Sequence, residues 1–305
     1  MTGLAQKENY QRLLEAESTK WGNHMALEAS GEWHSWLCHP LIRERYHRKA
    51  LLEGRPWQDF VRQHFRGPAA RSLDLGCGTG SNSIKLWEHG ATSFVEGVDV
   101  SGARVAEAER VRQLAGAAGE FRVGDVNTLT LAENSYDVIF SCQSFHHFLN
   151  LEHVMDQVAR ALTPRGLFVL EEFVGPTQFQ WTAEQRAVTR ALLGQLPERL
   201  RTFRWGAVKI EEGRPTPQEV IAVSPFESIR SAEIVPLFVR YFDVVAIRPL
   251  GGTIQHLLYN GIAHNFRLDD PEAMRHLRAI AGAEDMLLAV AALPSDFQLL
   301  VGRRK

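Results

Sequence analysis

The chain has 305 residues, 45% hydrophobic and 23% charged, with a net charge of −2. This is ordinary globular composition with ample apolar chain for a core, and it lacks the basic excess by which a nucleic-acid binder is recognised. No stretch approaches the ~20 apolar residues of a membrane span, the polar N-terminus has no signal-peptide core, and three cysteines without CxxC spacing (Cys38, Cys77 and Cys142) argue against a disulfide framework and fit the cytoplasm.

In chain order, residues 1–67 read as a helical arm. "YQRLLEAESTKW" has helical spacing, and "PLIRERYHRKALL" (40–52) places Pro40 near a helix start. Four of the seven tryptophans (Trp21, Trp33, Trp36 and Trp57) fall in the first 57 residues. Two uses fit such an arm: packing its aromatics against the main domain, or closing as a lid over a ligand with His24, Trp33 and His39 facing it. His34 and His39 flank Trp36, but no HxxxH or HxH–carboxylate pattern emerges, so no metal site is expected.

From residue 68 strands and helices alternate. Strands are expected at 71–75, at 92–100, in "GEFRVGDV", at 135–144 and at 166–174. Between them lie the helices "SNSIKLWEH", 101–118 with Ser101 as N-cap, and "LEHVMDQVARALTPRG", closed by a Pro–Arg–Gly turn. This rhythm predicts an α/β doubly wound sheet with helices on both faces. It then breaks: roughly 60 residues precede a sixth strand, "RYFDVVAIRP" (240–249), too many for a plain connection. Within them "TAEQRAVTRALLGQL" (182–196) reads as a helix with Thr182 and Gln185 as a capping box, and "SIRSAEIVPLFVRYF" as the helix before strand six. Two more helical runs, "TIQHLLYNGIAHNF" and "PEAMRHLRAIAGAEDMLLAVAAL", precede a last strand, "DFQLLVGRRK".

The stretch "SLDLGCGTGSNS" (72–83) carries the chemistry. Glycines at a strand-to-helix turn let a backbone approach a ligand and free the helix N-terminus for it. The pattern is G-x-G-x-G; the dinucleotide fingerprint asks for glycine at 81, which is Ser81. Asp99, ending strand two, suits the two hydroxyls of a ribose. Asp125, after strand three, suits the amino group of an adenine.

"LDLGCGTG", "GVDVS", "GDV" and "YDVIFSCQSFHHF", in that order, resemble the class I S-adenosylmethionine-dependent methyltransferase family over about residues 68–175. The closing "YFDVV" and "DFQLLVGRRK" look like that family's sixth and seventh strands. The resemblance implies a Rossmann-like seven-stranded sheet with the last strand antiparallel. It implies S-adenosylmethionine as cofactor, with Asp74 and the backbone of Gly76, Cys77, Gly78 and Gly80 around its methionine part. Asp99 would hold the ribose, Val100 would pack on the adenine, and Asp125 would accept from its amino group with Val126 beside it. Ser141 to Gln143 would meet the methionine amino group through a backbone carbonyl. The domain layout is then an arm or lid (1–67) and a methyltransferase domain (68–305), with substrate-facing insertions at 176–238 and 251–295.

Ligands of open α/β sheets sit at the carboxyl ends of the strands, so the acceptor's chemistry is sought after strands four and five. His146 and His147 follow strand four, and histidine is the natural base near neutral pH. Glu171 and Glu172 end strand five, and only one of two successive residues faces a given side; Glu172 is the catalytic candidate. Gln178, Phe179 and Trp181 suit a pocket wall. Arg199, Arg201, Arg204 and Lys209 read as a solvated face, with carboxylate or phosphate recognition as the alternative. The expected activity is methyl transfer to a small molecule, a natural product or sugar-containing metabolite, with O-methylation favoured. The rivals are a cofactor-binding partner subunit without turnover and, further off, a nicotinamide-dependent oxidoreductase. A homodimer is the other use for the helical additions.

Overall fold

A computed structural model describes residues 3–30 and 35–305. Helix α1 (Gly3–Ser30) leads, followed by α2 (Pro40–Lys49) and α3 (Trp57–Phe65). Pro40 occupies the first turn of α2, where its missing N–H costs nothing. The alternating segment runs β1 (Ser72–Leu75), α4 (Ser81–Glu88), β2 (Val95–Asp99), α5 (Gly102–Leu114), β3 (Gly119–Val123), β4 (Tyr136–Cys142), α6 (Leu151–Ala161) and β5 (Leu162–Phe173). The first insertion supplies α7 (Ala183–Gly194), α8 (Pro217–Val223) and α9 (Ile234–Tyr241). Then come β6 (Phe242–Gly251), α10 (Gln255–Tyr259), α11 (Pro271–Ala289) and β7 (Phe297–Arg304).

The seven strands form one sheet in the order β3-β2-β1-β4-β5-β7-β6. The first five strands pair in parallel, and β7 runs antiparallel to both β5 and β6. The doubly wound sheet with its last strand antiparallel is therefore as expected.

Strand alternation divides the core. Val138, Phe140, Leu167, Val169, Leu299 and Val301 face the side covered by Ile42, Tyr46 and Trp57 of the arm. Their neighbours Ile139, Phe168, Leu170 and Leu300 face Val154, Met155 and Val158 of α6 and Phe238 of α9. Each fully buried apolar side chain of this kind contributes about 1.5–3 kcal/mol, so the arm is part of the core on one face.

Two local expectations change. Strand five begins at Leu162, and the Pro164–Arg165–Gly166 turn is an irregularity within it, between the pairs Tyr136/Leu162 and Val138/Leu167. Ser101 holds the N-cap position of α5 but makes no side-chain cap; the Asp99 carboxylate accepts the Ser101 N–H at 2.8 Å instead. The Thr182–Gln185 capping box of α7 forms in both directions.

The order of strands makes β1 the switch point, with β2 on one side and β4 on the other. The loops after β1, β2, β3, β4 and β5 thus open on one edge, where such sheets bind ligands.

Candidate active site

The glycine loop follows β1 with φ of +74° at Gly76, +53° at Gly78 and +75° at Gly80. Gly80 is the N-cap of α4 and brings no side chain to cap it, so the first amides of α4 are left for a ligand. A Cβ on Gly76 would meet Ser144 Cβ and Oγ at 2.6 Å. The glycine loop and the segment after β4 are therefore packed directly together. Ser141 and Ser144 tighten the joint, each donating a hydroxyl to the Leu75 carbonyl, at 2.8 and 2.9 Å. Cys77 is buried among Ile84, Val95 and Phe121, a packing role behind the loop.

Asp74 is 2% exposed and accepts from Ser83 Oγ at 2.8 Å. Burial pushes its carboxyl up to about 7, with Ser83 pulling the other way. An acid raised on folding binds its proton more tightly in the folded state, so stability falls as pH rises from about 4 through about 7. Asp74→Asn is expected to remove that slope and to raise stability at pH 8 by about 4 kcal/mol at most, the full cost of ionising this carboxyl where it is buried. Thermal melts of the ligand-free protein at pH 5 and pH 8 check this; a slope unchanged by the substitution contradicts it.

Asp99 accepts the Gly78 N–H at 2.8 Å through Oδ2 and the Ser101 N–H through Oδ1, which locks the glycine loop to the end of β2. Asp125 accepts the Asn127 N–H at 2.9 Å, and its Oδ2 accepts the phenol of Tyr10 at 2.8 Å. That contact was not legible in the sequence. Helix α1 lies across this edge: Ser18 Oγ donates to the Val100 carbonyl at 3.1 Å, and Arg104 Nε donates to the Trp21 carbonyl. Val126 is buried among Leu131 and Phe148. Tyr10 thus occupies the oxygen expected to receive an adenine amino group. A hydrogen bond to a charged acceptor contributes about 1.5–3 kcal/mol when buried. Tyr10→Phe is expected to tighten binding of the adenine-bearing cofactor by about 3- to 10-fold, the bond being partly exposed. Calorimetric titration of the variant measures it; weaker binding would make Tyr10 part of the cofactor's own site.

After β4, Gln143 adopts φ +55° and the chain turns through Phe145–His147. Glu172, fully buried at the end of β5, is the hub of this turn. It accepts the N–H groups of Ser144 (2.9 Å), Phe145 (2.6 Å) and Phe173 (2.7 Å), and His146 Nδ1 at 2.5 Å. His146 Nε2 points to Glu227 Oε1 at 3.5 Å, and His147 Nε2 lies 3.9 Å from the same oxygen. His147 Nδ1 is 3.0 Å from Glu17 Oε1 of α1, at an angle that leaves it without a hydrogen bond. Burial alone would lower the His146 pKa, but Glu172 and Glu227 outweigh it and hold it up to about 10.

Glu171 points to the other face, within reach of Tyr46 and Trp57, and burial raises it to about 7. The alternation expected of this pair is therefore realised, with Glu172 beside the histidines. Phe179 stacks on Trp181 at 5.2 Å, and both pack with Phe173 around His256. Burial lowers His256 to about 4.

Other expectations shift. His39 lies with Nε2 2.6 Å from the Phe266 carbonyl, which fixes the arm to the second insertion. Trp33 and His34 lie outside the described residues. The four basic residues of the first insertion form no common face: Arg199 pairs with Asp270 and Glu272, whereas Lys209 is buried and bonded to Glu212 and to the carbonyls of Leu257 and Asn260. Where the sequence spacing offers no metal-ligand pattern, the fold gathers His146, His147 and Glu227 with ligand atoms within 4.8 Å of one another. Glu17, Tyr10, Glu227 and His256 were missed because nothing in their local sequence marks them; only the tertiary fold brings them here.

Residues 67–211 match the family described as a methyltransferase domain. This segment holds the glycine loop, the acids and the histidines, so the residues expected to carry the chemistry lie inside the part of the chain that matches a methyltransferase domain. The chain is 33% identical over 132 residues to malonyl-[acyl-carrier protein] O-methyltransferase of Methylococcus capsulatus, covering 43% of this chain and 46% of that protein. It is 32% identical over 109 residues to 27-O-demethylrifamycin SV methyltransferase of Amycolatopsis mediterranei, covering 34% and 39%. The chain thus spans less than half the length of these curated relatives. In structure it is similar to geranyl diphosphate C-methyltransferase from Streptomyces coelicolor A3(2), with a TM-score of 0.50 and 15% identity over 82% of this chain and 78% of that one, a likeness of fold. Among the described residues no helix is long and apolar enough to cross a membrane.

Proposed function

We propose that this chain transfers the methyl group of S-adenosylmethionine to an oxygen of a small-molecule acceptor, a natural product or sugar-containing metabolite. The observation that carries the reading is the abutment of the glycine loop on the His146–Glu172 pair through Gly76 and Ser144. It puts a polar, proton-handling cluster beside the loop expected to hold the methionine end. A sulfonium methyl is already electrophilic, so the protein's work is to align an acceptor, exclude water and receive a proton.

Asp99 holds the ribose once it exchanges its bond to Gly78 for the diol, and Asp125 takes the adenine amino group once Tyr10 withdraws. The acceptor's proton is taken at the cluster of His146, His147 and Glu227, oriented from behind by Glu172. The charge His146 carries in the ligand-free protein is disfavoured when a sulfonium cation arrives beside it. Helix α1 closes the edge over both sites, and Phe179 and Trp181 offer an apolar wall to the acceptor. That the charged lining is enclosed by α1 and the first insertion favours a small acceptor over a macromolecule.

The test is transfer of isotopically labelled methyl from S-adenosylmethionine to a panel of small hydroxylated metabolites, with mass-spectrometric location of the new group. O-methyl product, reduced about 100-fold or more in His146→Asn, supports the reading. Product methylated on carbon or nitrogen, or an undiminished rate in the variant, contradicts it.

A further inference from the structure

We propose that His146, His147 and Glu227 form a binding site for one divalent transition-metal ion. The inference deepens the function proposed above, and the ion's role in transfer rests on that reading; the binding itself does not.

Three observations converge. First, the geometry: His146 Nε2 and His147 Nε2 lie 3.5 and 3.9 Å from Glu227 Oε1, and the three ligand atoms lie within 4.8 Å of one another. Ligands about 2.0–2.2 Å from a common ion stand about 3.3 Å apart in a tetrahedral set, so small side-chain rotations close the site.

Second, the outer partners are those a ligating imidazole requires. A metal-bound histidine gives its other ring N–H to a carboxylate, which fixes tautomer and orientation. His146 Nδ1 meets Glu172 at 2.5 Å; Glu17 Oε1 stands 3.0 Å from His147 Nδ1 without yet receiving its hydrogen bond, and the ring rotation that closes the metal site would have to make that bond. Glu227 Oε2 is held at 3.2 Å by Lys20, leaving Oε1 as a single ligand oxygen. Glu17 and Glu172 are themselves anchored, Glu17 by Ser224 Oγ and Trp21 Nε1.

Third, the charge. Glu17, Glu172 and Glu227 bring three carboxylates together against Lys20 and the protonated His146, one positive charge short; a dication that displaces the His146 proton and binds neutral imidazoles balances them. Two nitrogens and one carboxylate oxygen suit zinc, cobalt or ferrous iron over magnesium or calcium. Three protein ligands leave open positions. With the ion bound these side chains are ligands rather than bases, so an acceptor oxygen entering an open position would release its proton to water instead of to the cluster and stand as an anion beside the sulfonium. The O–CH3 bond then forms as the S–CH3 bond breaks, and S-adenosylhomocysteine leaves. Nothing in the sequence spacing announces this set, because Glu227 comes from the first insertion.

The full-length protein, freed of metal by chelation and dialysis, is titrated with Co2+ and followed by visible absorption. We expect ligand-field bands that saturate at one equivalent. Glu227→Gln and His146→Asn should weaken Co2+ binding about 100-fold or more, and Glu17→Gln about 10- to 100-fold by releasing the outer shell. Circular dichroism and cofactor binding verify that each variant is folded; Glu227→Gln, in a loop of the insertion, stands in if His146→Asn is not. Absence of the bands, or equal Co2+ affinity in the folded variants, overturns the proposal. Co2+ binding without cofactor binding would uphold the metal site and refute the transferase reading; methyl transfer undiminished by chelation, without Co2+ bands, would do the reverse.

Discussion

Glu172→Ala is expected to lose about 3–5 kcal/mol of stability, the range for removing one partner of a buried charged pair. One carboxylate terminates three backbone N–H groups and one imidazole, and none of these has water to turn to, since Glu172 is fully buried. Truncation leaves them all unsatisfied, each carrying a desolvation penalty of about 1–3 kcal/mol before the turn relaxes. The residue also aims His146 at Glu227, so methyl transfer should fall about 100-fold or more even where the protein stays folded. Glu172→Gln separates the two effects: it keeps the shape and one accepting oxygen, so it should lose less stability than alanine yet still fail to hold the imidazole. Urea denaturation of the three proteins gives the comparison. A midpoint for Glu172→Ala equal to that of the parent would show that the turn after β4 does not depend on this carboxylate.

Gly76→Ala is the second large effect. At φ +74° an alanine is strained before any contact is counted, and its Cβ would stand 2.6 Å from the Cβ and Oγ of Ser144. Ser144 cannot retreat freely, because its hydroxyl is bonded to Leu75 and its amide to Glu172. The strain and the clash together are worth about 2–4 kcal/mol, and displacing the loop should also abolish cofactor binding. Gly54→Ala is the control: φ is +79°, but nothing lies within 4 Å of the added Cβ. It should therefore lose only the backbone contribution, about 1 kcal/mol, and leave cofactor binding intact. Equal losses in the two variants would contradict the close joint between the glycine loop and the segment after β4.

The alternation of β1 to β5 was legible because most of these strands are short apolar runs bounded by turn residues, β3 (GEFRV) being the exception, and because Asp99 closes β2 and Asp125 follows β3. The last two strands were legible for the same reason. The arm was legible as helix but not in its use. The face of α1 turned to the protein carries Tyr10, Glu17, Ser18 and Trp21, mostly polar residues whose partners (Asp125, His147 and Ser224, Val100) are more than 80 residues away. Polar partners of that kind leave no periodic trace. Lys209 shows the converse error: a lysine among arginines reads as solvated surface, yet carbonyls from the second insertion draw it inside. The pairing of His146 with Glu172 was half legible. Alternation along β5 separates Glu171 from Glu172, but which face meets the histidines is settled only by the pairing of β5 with β4 and β7.

The cofactor underlies every role assigned to the site, and the most direct measurement is calorimetric titration of the protein with S-adenosylmethionine, S-adenosylhomocysteine and a nicotinamide dinucleotide in parallel, repeated in Asp99→Ala. We expect that the first two bind the parent protein with one site, that Asp99→Ala loses both, and that the dinucleotide gives no heat. Binding of the dinucleotide alone would contradict the methyltransferase reading and would turn the glycine loop, Asp99 and the histidines toward hydride chemistry.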